Sequence, residues 1–273
     1  MIRGPAECFD QPMSKWTFDF VLPADSIDQV PISWRLPDQQ GCYWLTARLT
    51  GVAGRPVLSQ RFVRAIPPPT VSEKLKTKQF VVLGSDDAAQ RFFASHSLQM
   101  SSRLGSLSPE THVVVVWDAS RFSRGEKAQT EMLDRFLRAG GKMLVLASSA
   151  WDWPALCDVQ IRHDPRFSRV FPYRDREIPW LNGIDPQWLI RWNGLAGTVA
   201  FGTIEGAVMA DAEKILWAKE PDTTVMAMVP AASGEGHIVF VQLDLQHRLD
   251  RSQSDYDAVA EHVLLCLLTE AAH

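Results

Sequence analysis

The sequence predicts an α/β protein, a doubly wound and mainly parallel sheet preceded by a small, partial β-sandwich. Three observations predict it. Residues Ala65-Ile66-Pro67-Pro68-Pro69-Thr70 divide the chain, because consecutive prolines fix φ, remove backbone donors and form a stiff extended spacer. Before that point apolar and polar residues alternate with the period of half-buried strands. Beyond it, continuous apolar runs alternate with amphipathic helical stretches, as in a parallel sheet covered on both faces. The expected organisation is a β-module over 1–66, a Pro-rich linker over 67–76 and an α/β domain over 77–273.

The first module offers strands at Lys15–Leu22, Val30–Pro37, Gly41–Leu49 and Val57–Arg64. Asp38-Gln39-Gln40-Gly41 and Gly51-Val52-Ala53-Gly54 supply turn residues between the later ones. An immunoglobulin-like sandwich needs about seven strands, so this one reads as partial. In the second domain Gln79–Gly84 is an apolar strand, and Ser85-Asp86-Asp87 are placed to cap a following helix with Phe92 and Phe93 inward. Thr111–Asp118, with its four valines, is the central strand. A helix from 125 to 138 turns Met132, Leu133, Phe136 and Leu137 inward and stops at Gly140-Gly141, before the strand Lys142–Ala147. This βαβ succession gives a flavodoxin-like sheet. Residues 151–197, rich in Trp, Pro and Arg, read as an irregular insertion. Thr224–Val229 and His237–Leu243 form a hairpin across Ser233-Gly234-Glu235-Gly236, and a helix from 255 to 270 closes the layer.

Composition narrows the function classes. A net charge of −4 without a Lys/Arg-rich run excludes phosphate-driven nucleic-acid binding. No apolar stretch reaches the roughly 18 residues of a membrane span, and the N-terminus lacks the apolar core of a secretory signal, so the default compartment is the cytoplasm. Cys8, Cys42, Cys157 and Cys266 are scattered and read as reduced structural residues. Arg162-His163-Asp164 offers one His without a second ligand at metal spacing, and Gly84-Ser85-Asp86-Asp87 is not a phosphate loop. No metal and no cofactor is therefore expected.

Sites in open parallel sheets form at the carboxyl ends of the strands. That rule selects Gly84-Ser85-Asp86, Asp118-Ala119-Ser120-Arg121, Ala147-Ser148-Ser149-Ala150-Trp151 and Asp244-Leu245-Gln246-His247. Asp118 either caps the next segment or binds a ligand hydroxyl. Trp151 and Trp153 either pack the insertion or form a platform for a sugar. Ser148 or Ser149, with His247 as base and Asp244 behind it, has the residue types of an activated serine. The opposing reading makes them polar loop residues.

The strand order and final hairpin resemble the class I glutamine amidotransferase-like domain. That family has a nucleophilic cysteine on a glycine-flanked turn and a His-Pro-Glu group after a late strand. Here the turn falls at Ala147-Ser148-Ser149-Ala150, without cysteine or glycine, and the late His falls near Asp244, without Pro-Glu after it. Leu36-Pro37, Gly41, Tyr43, Leu45, Ala47 and Leu49, the proline hinge, and the run from Gly234 to Leu245 together resemble the C-terminal region of bacterial glycoside hydrolases of the family 2 and β-galactosidase type. There, a barrel precedes an immunoglobulin-like module and a degenerate amidotransferase-like module. The resemblance implies no catalytic residue in this chain. It implies an accessory role, with a glycoside hydrolase barrel in the same or a neighbouring polypeptide, a homo-oligomer contact or a carbohydrate as partner. A free-standing hydrolase using Ser149 and a carbohydrate-binding or scaffold protein using the Trp-rich stretch remain the alternatives.

Overall fold

A computed structural model describes residues 2–3, 15, 17, 19, 41–49, 57–66, 69–119, 127–146, 151, 153–173, 178–192, 197–232 and 234–273. The chain divides into two compact units, Met1–Pro68 and Pro69–His273. In the first, β1 (Ile2–Arg3), β2 (Gly41–Leu49) and β3 (Val57–Ala65) form an antiparallel sheet in that spatial order. β2 and β3 stay in unbroken register from Gly41↔Ala65 to Leu49↔Val57. Tyr43 is buried while Ala47 and Arg48 are exposed. The strands expected at 15–22 and 30–37 fall almost wholly outside the described residues; Lys15, Thr17 and Asp19 are exposed and carry no strand.

In the second unit, Ser72 caps the single-turn helix α1 (Glu73–Lys76) by accepting from the Leu75 amide, and Leu75 is fully buried. A folded turn thus stands within the stretch expected to be a linker. The chain continues as β4 (Gln79–Leu83), α2 (Asp87–Ser95), β5 (Gln99–Ser101), β6 (His112–Val116), α3 (Lys127–Arg138) and β7 (Lys142–Val145). After β8 (Gln160–Phe167), β9 (Phe171–Pro172), β10 (Ala200–Glu205), β11 (Glu213–Ala218), β12 (Glu220–Pro230) and β13 (His237–Val241), it ends in α4 (Ala258–Ala271).

The central sheet has eight strands in the order β5-β4-β6-β7-β13-β12-β11-β9. The first five run parallel. β12, β11 and β9 extend it antiparallel, with β12 and β13 forming the expected hairpin. Val113 to Val116 are each at most 1% exposed, which is why β6 carries no alternation: both of its faces are covered. On one face Val81, Leu83, Val114, Val116, Met143, Val145, Ile238 and Phe240 meet Leu133, Phe136 and Leu137 of α3. On the other, Phe93 of α2 lies 5.4 Å from Phe80 and 6.4 Å from Trp117. Residues 151–197 differ from the expected irregular insertion, because they contain β8 and β9. β8 pairs with β10 in a separate two-stranded sheet.

α4 is apolar on nearly every side, yet Glu261 in its first turn is 2% exposed. Its Oε1 pairs with His96 Nε2 at 2.8 Å and accepts from Arg251 Nη2 at 2.7 Å. Its Oε2 accepts from Tyr256 Oη at 2.5 Å. Burial raises the pKa of this carboxyl, but the bonds from His96, Arg251 and Tyr256 outweigh it and bring it down to about 2. The group therefore stabilises the fold fully above the ordinary carboxylate range, and that contribution disappears as pH falls toward about 2. Denaturant unfolding across this range is expected to lose roughly 1.4 kcal/mol per pH unit through this group. Glu261→Gln is expected to flatten that acid limb; an unchanged limb would reject the assignment.

Candidate functional site

The carboxyl ends of the parallel strands come together at one edge of the sheet. After β4 the chain turns at Gly84, whose φ of +68° suits a residue without Cβ. The turn fits closely under the next strand end: a Cβ at Gly84 would lie 2.0 Å from the Asp118 carbonyl oxygen. Asp86 then caps α2, accepting from the Ala89 amide at 2.9 Å. Asp86, Asp87, Ala88 and Arg91 line a shallow depression of about 410 Å³, and Arg91 pairs with Asp250 at 2.9 Å. Asp118 is half-buried directly after the fully buried Trp117.

The strongest cluster follows β13. Asp244 is 6% exposed, with its amide donating to the Val199 carbonyl at 2.9 Å. One carboxylate oxygen, Oδ2, accepts from Arg248 Nε at 3.0 Å and Nη2 at 2.6 Å; Nη2 also reaches the Thr198 carbonyl at 3.1 Å. The other, Oδ1, lies 2.8 Å from His247 Nδ1. A short 3-10 turn, Gln246–Arg248, sets this spacing by placing positions 247 and 248 three and four residues beyond Asp244. Gln246 Nε2 anchors the turn to the Trp117 carbonyl at 2.7 Å, joining the ends of β13 and β6. The Asp244 hydrogen bond raises the His247 pKa and Asp86 adds to it, while partial burial and Arg248 work against it. The His247 ring is mostly solvent-facing, with a side-chain exposure of 72%.

The structure thus brings Asp244 and His247 together. Ser148 and Ser149 lie outside the described residues, as does residue 120 beyond Asp118. Trp151 and Trp153 are 8% and 6% exposed, with their rings edge to face at 4.9 Å. Trp151 also meets the Phe240 ring at 5.0 Å and donates to the Cys157 carbonyl at 2.7 Å. Neither ring lies open to a sugar. Arg248 was not among the expected residues, although Asp244 and Arg248 at i and i+4 were a legible signal on a helical turn. Cys157 and Cys266 are free thiols pushed up to about 12 and about 11 by burial, so neither supplies a thiolate at neutral pH. Among the described residues no group of three or more His, Cys, Asp or Glu gathers as a metal centre, and no helix is long and apolar enough to cross a membrane.

No protein-family model matches the chain, and no curated protein matches it. Among solved structures it is similar to the cytoplasmic protein STM3548 from Salmonella typhimurium, at 9% identity and a TM-score of 0.43, over 83% of this chain and 94% of that one. It is also similar to the β-galactosidase from Bacillus circulans sp. alkalophilus, at 14% identity and a TM-score of 0.36, over 71% of this chain. A third is the exo-β-1,4-mannosidase Op5Man5 from Opitutaceae bacterium strain TAV5, at 14% identity and a TM-score of 0.32, over 58% of this chain. The match spans 31% of the galactosidase and 26% of the mannosidase.

Proposed function

We propose that this chain is a non-catalytic accessory region, serving packing or oligomer contacts, of the kind that follows the barrel in family 2 and β-galactosidase-type glycoside hydrolases. The observation that carries this reading is the state of Asp244, at the strand end where an amidotransferase-like enzyme keeps its histidine. Its carboxylate is buried and both oxygens are engaged, one by His247 and the other by two nitrogens of buried Arg248. A guanidinium in that position offsets the charge that a catalytic carboxylate uses to stabilise an imidazolium. The pair instead fastens the chain to Thr198 on the neighbouring segment. The parallel order β5-β4-β6-β7-β13 supports the flavodoxin-like, amidotransferase-like reading, because it is second-first-third-fourth-fifth in chain order. The antiparallel β1–β3 sheet is what an immunoglobulin-like module would contribute.

One observation favours a competing reading. An imidazole held by a carboxylate, as His247 is at 2.8 Å, is how a free-standing hydrolase would activate Ser149. Turnover of aryl esters and aryl glycosides by the wild type, Ser149→Ala and His247→Ala separates the two. The expected result is the same background rate in all three. Ester turnover that is present in the wild type and lost in both variants would replace the accessory reading with the hydrolase.

A further inference from the structure

Gln242, the residue after β13, is fully buried, and neither polar atom of its side-chain amide has a hydrogen-bond partner. Arg248 is 1% exposed and uses Nε and Nη2, leaving Nη1 without one. Arg248 clasps the Asp244 carboxylate, and Gln242 precedes Asp244 by two residues in the chain. The run from Gln242 to Asp244 is extended, since the Phe201 amide donates to the Gln242 carbonyl at 3.0 Å, the Asp244 amide to Val199 at 2.9 Å, and Leu243 bridges Ala200. Residues two apart in extended backbone share a face, at about 6.6 Å between Cα atoms. Gln242 therefore stands beside the Asp244 that Arg248 clasps.

Leaving such groups unpaired in a dry interior costs about 1–3 kcal/mol each. Native interiors answer with a buried water that makes roughly three bonds. The local charge selects the class of occupant. Arg248 already balances Asp244, so a bound ion would add an uncompensated buried charge. What fits is a neutral molecule that both donates and accepts, and the complete burial of Gln242 restricts it to the smallest one. We infer that Gln242 and Arg248 Nη1 hold a single structural water behind the Asp244–Arg248 pair. The water accepts from Arg248 Nη1 and donates to Gln242 Oε1, extending the clasp to a third side chain.

A crystal structure of the whole chain, at a resolution that orders buried solvent, tests this directly. The expected result is one ordered water within hydrogen-bond distance of both the Gln242 amide and Arg248 Nη1. No density there, or density touching only one of them, overturns it. Gln242→Met, which keeps length and removes both polar atoms, is the solution counterpart. With the water in place, the variant is expected to raise the unfolding equilibrium constant about tenfold, because the water and Arg248 Nη1 lose a partner. An unchanged or lower constant overturns the inference, since deleting an amide that bonded nothing relieves a cost.

Discussion

Arg248→Met is expected to destabilise the α/β unit by about 3–5 kcal/mol, as measured by denaturant unfolding at neutral pH. The change keeps side-chain bulk but strands Asp244, 6% exposed, with only the solvent-facing His247 as partner. It also removes the bond to the Thr198 carbonyl, and with it one tie between the β13 end and the 198–201 segment. Replacing the whole pair distinguishes a stranded charge from lost packing. Adding Asp244→Leu to Arg248→Met should recover most of the loss, because a buried ion pair is often no better than apolar residues of similar volume. A single variant within about 1 kcal/mol of wild type, or a double variant no better than the single, would reject this account of the clasp.

Gly84→Ala is expected to cost at least about 3 kcal/mol, the range reserved for strained or overpacked buried sites. Two effects combine. The residue sits at φ +68°, and an added Cβ would stand 2.0 Å from the Asp118 carbonyl oxygen, which is backbone and cannot swing away. Gly140→Ala is the matched control: its φ is +86°, but nothing lies within 4 Å of the added carbon. Left-handed strain alone costs about 1–2 kcal/mol. The difference between the two unfolding free energies therefore reads the close approach of the β4 and β6 ends, and equal losses would show that this approach is looser than the structure has it.

These effects arise where the sequence was only partly readable. β6 stood out because four consecutive valines fit a strand buried on both faces, and α3 because Leu133, Phe136 and Leu137 repeat at helical spacing. β8 did not, since Gln160–Phe167 carries Pro165 and charged residues and is made a strand by β10, more than thirty residues away. β11 was missed for a related reason: its ladder with β12 is broken by register shifts, which blur a period-2 pattern. The candidate site was legible in Asp244 and His247, because strand ends collect polar residues. Arg248 was legible only as a spacing, four residues past Asp244, because in a sequence an arginine shows charge and hides burial; only the fold makes it 1% exposed. Glu261 was a readable oddity, a carboxylate within an apolar helix, but while Arg251 and Tyr256 precede it closely in the chain, its third partner, His96, lies 165 residues away at the end of α2.

The outermost strands of the central sheet are very short: β5 has three residues and β9 two, the second of them Pro172. An edge that short offers an approaching strand little backbone to copy, and a proline presents no amide to it. Among the described residues, lateral growth of the central sheet, the common route from an exposed β-edge to fibres, has almost no template at these two end strands. Association through the sheet would have to use side chains on its flanks, so that its specificity could be redrawn by surface substitutions without disturbing the strand order beneath.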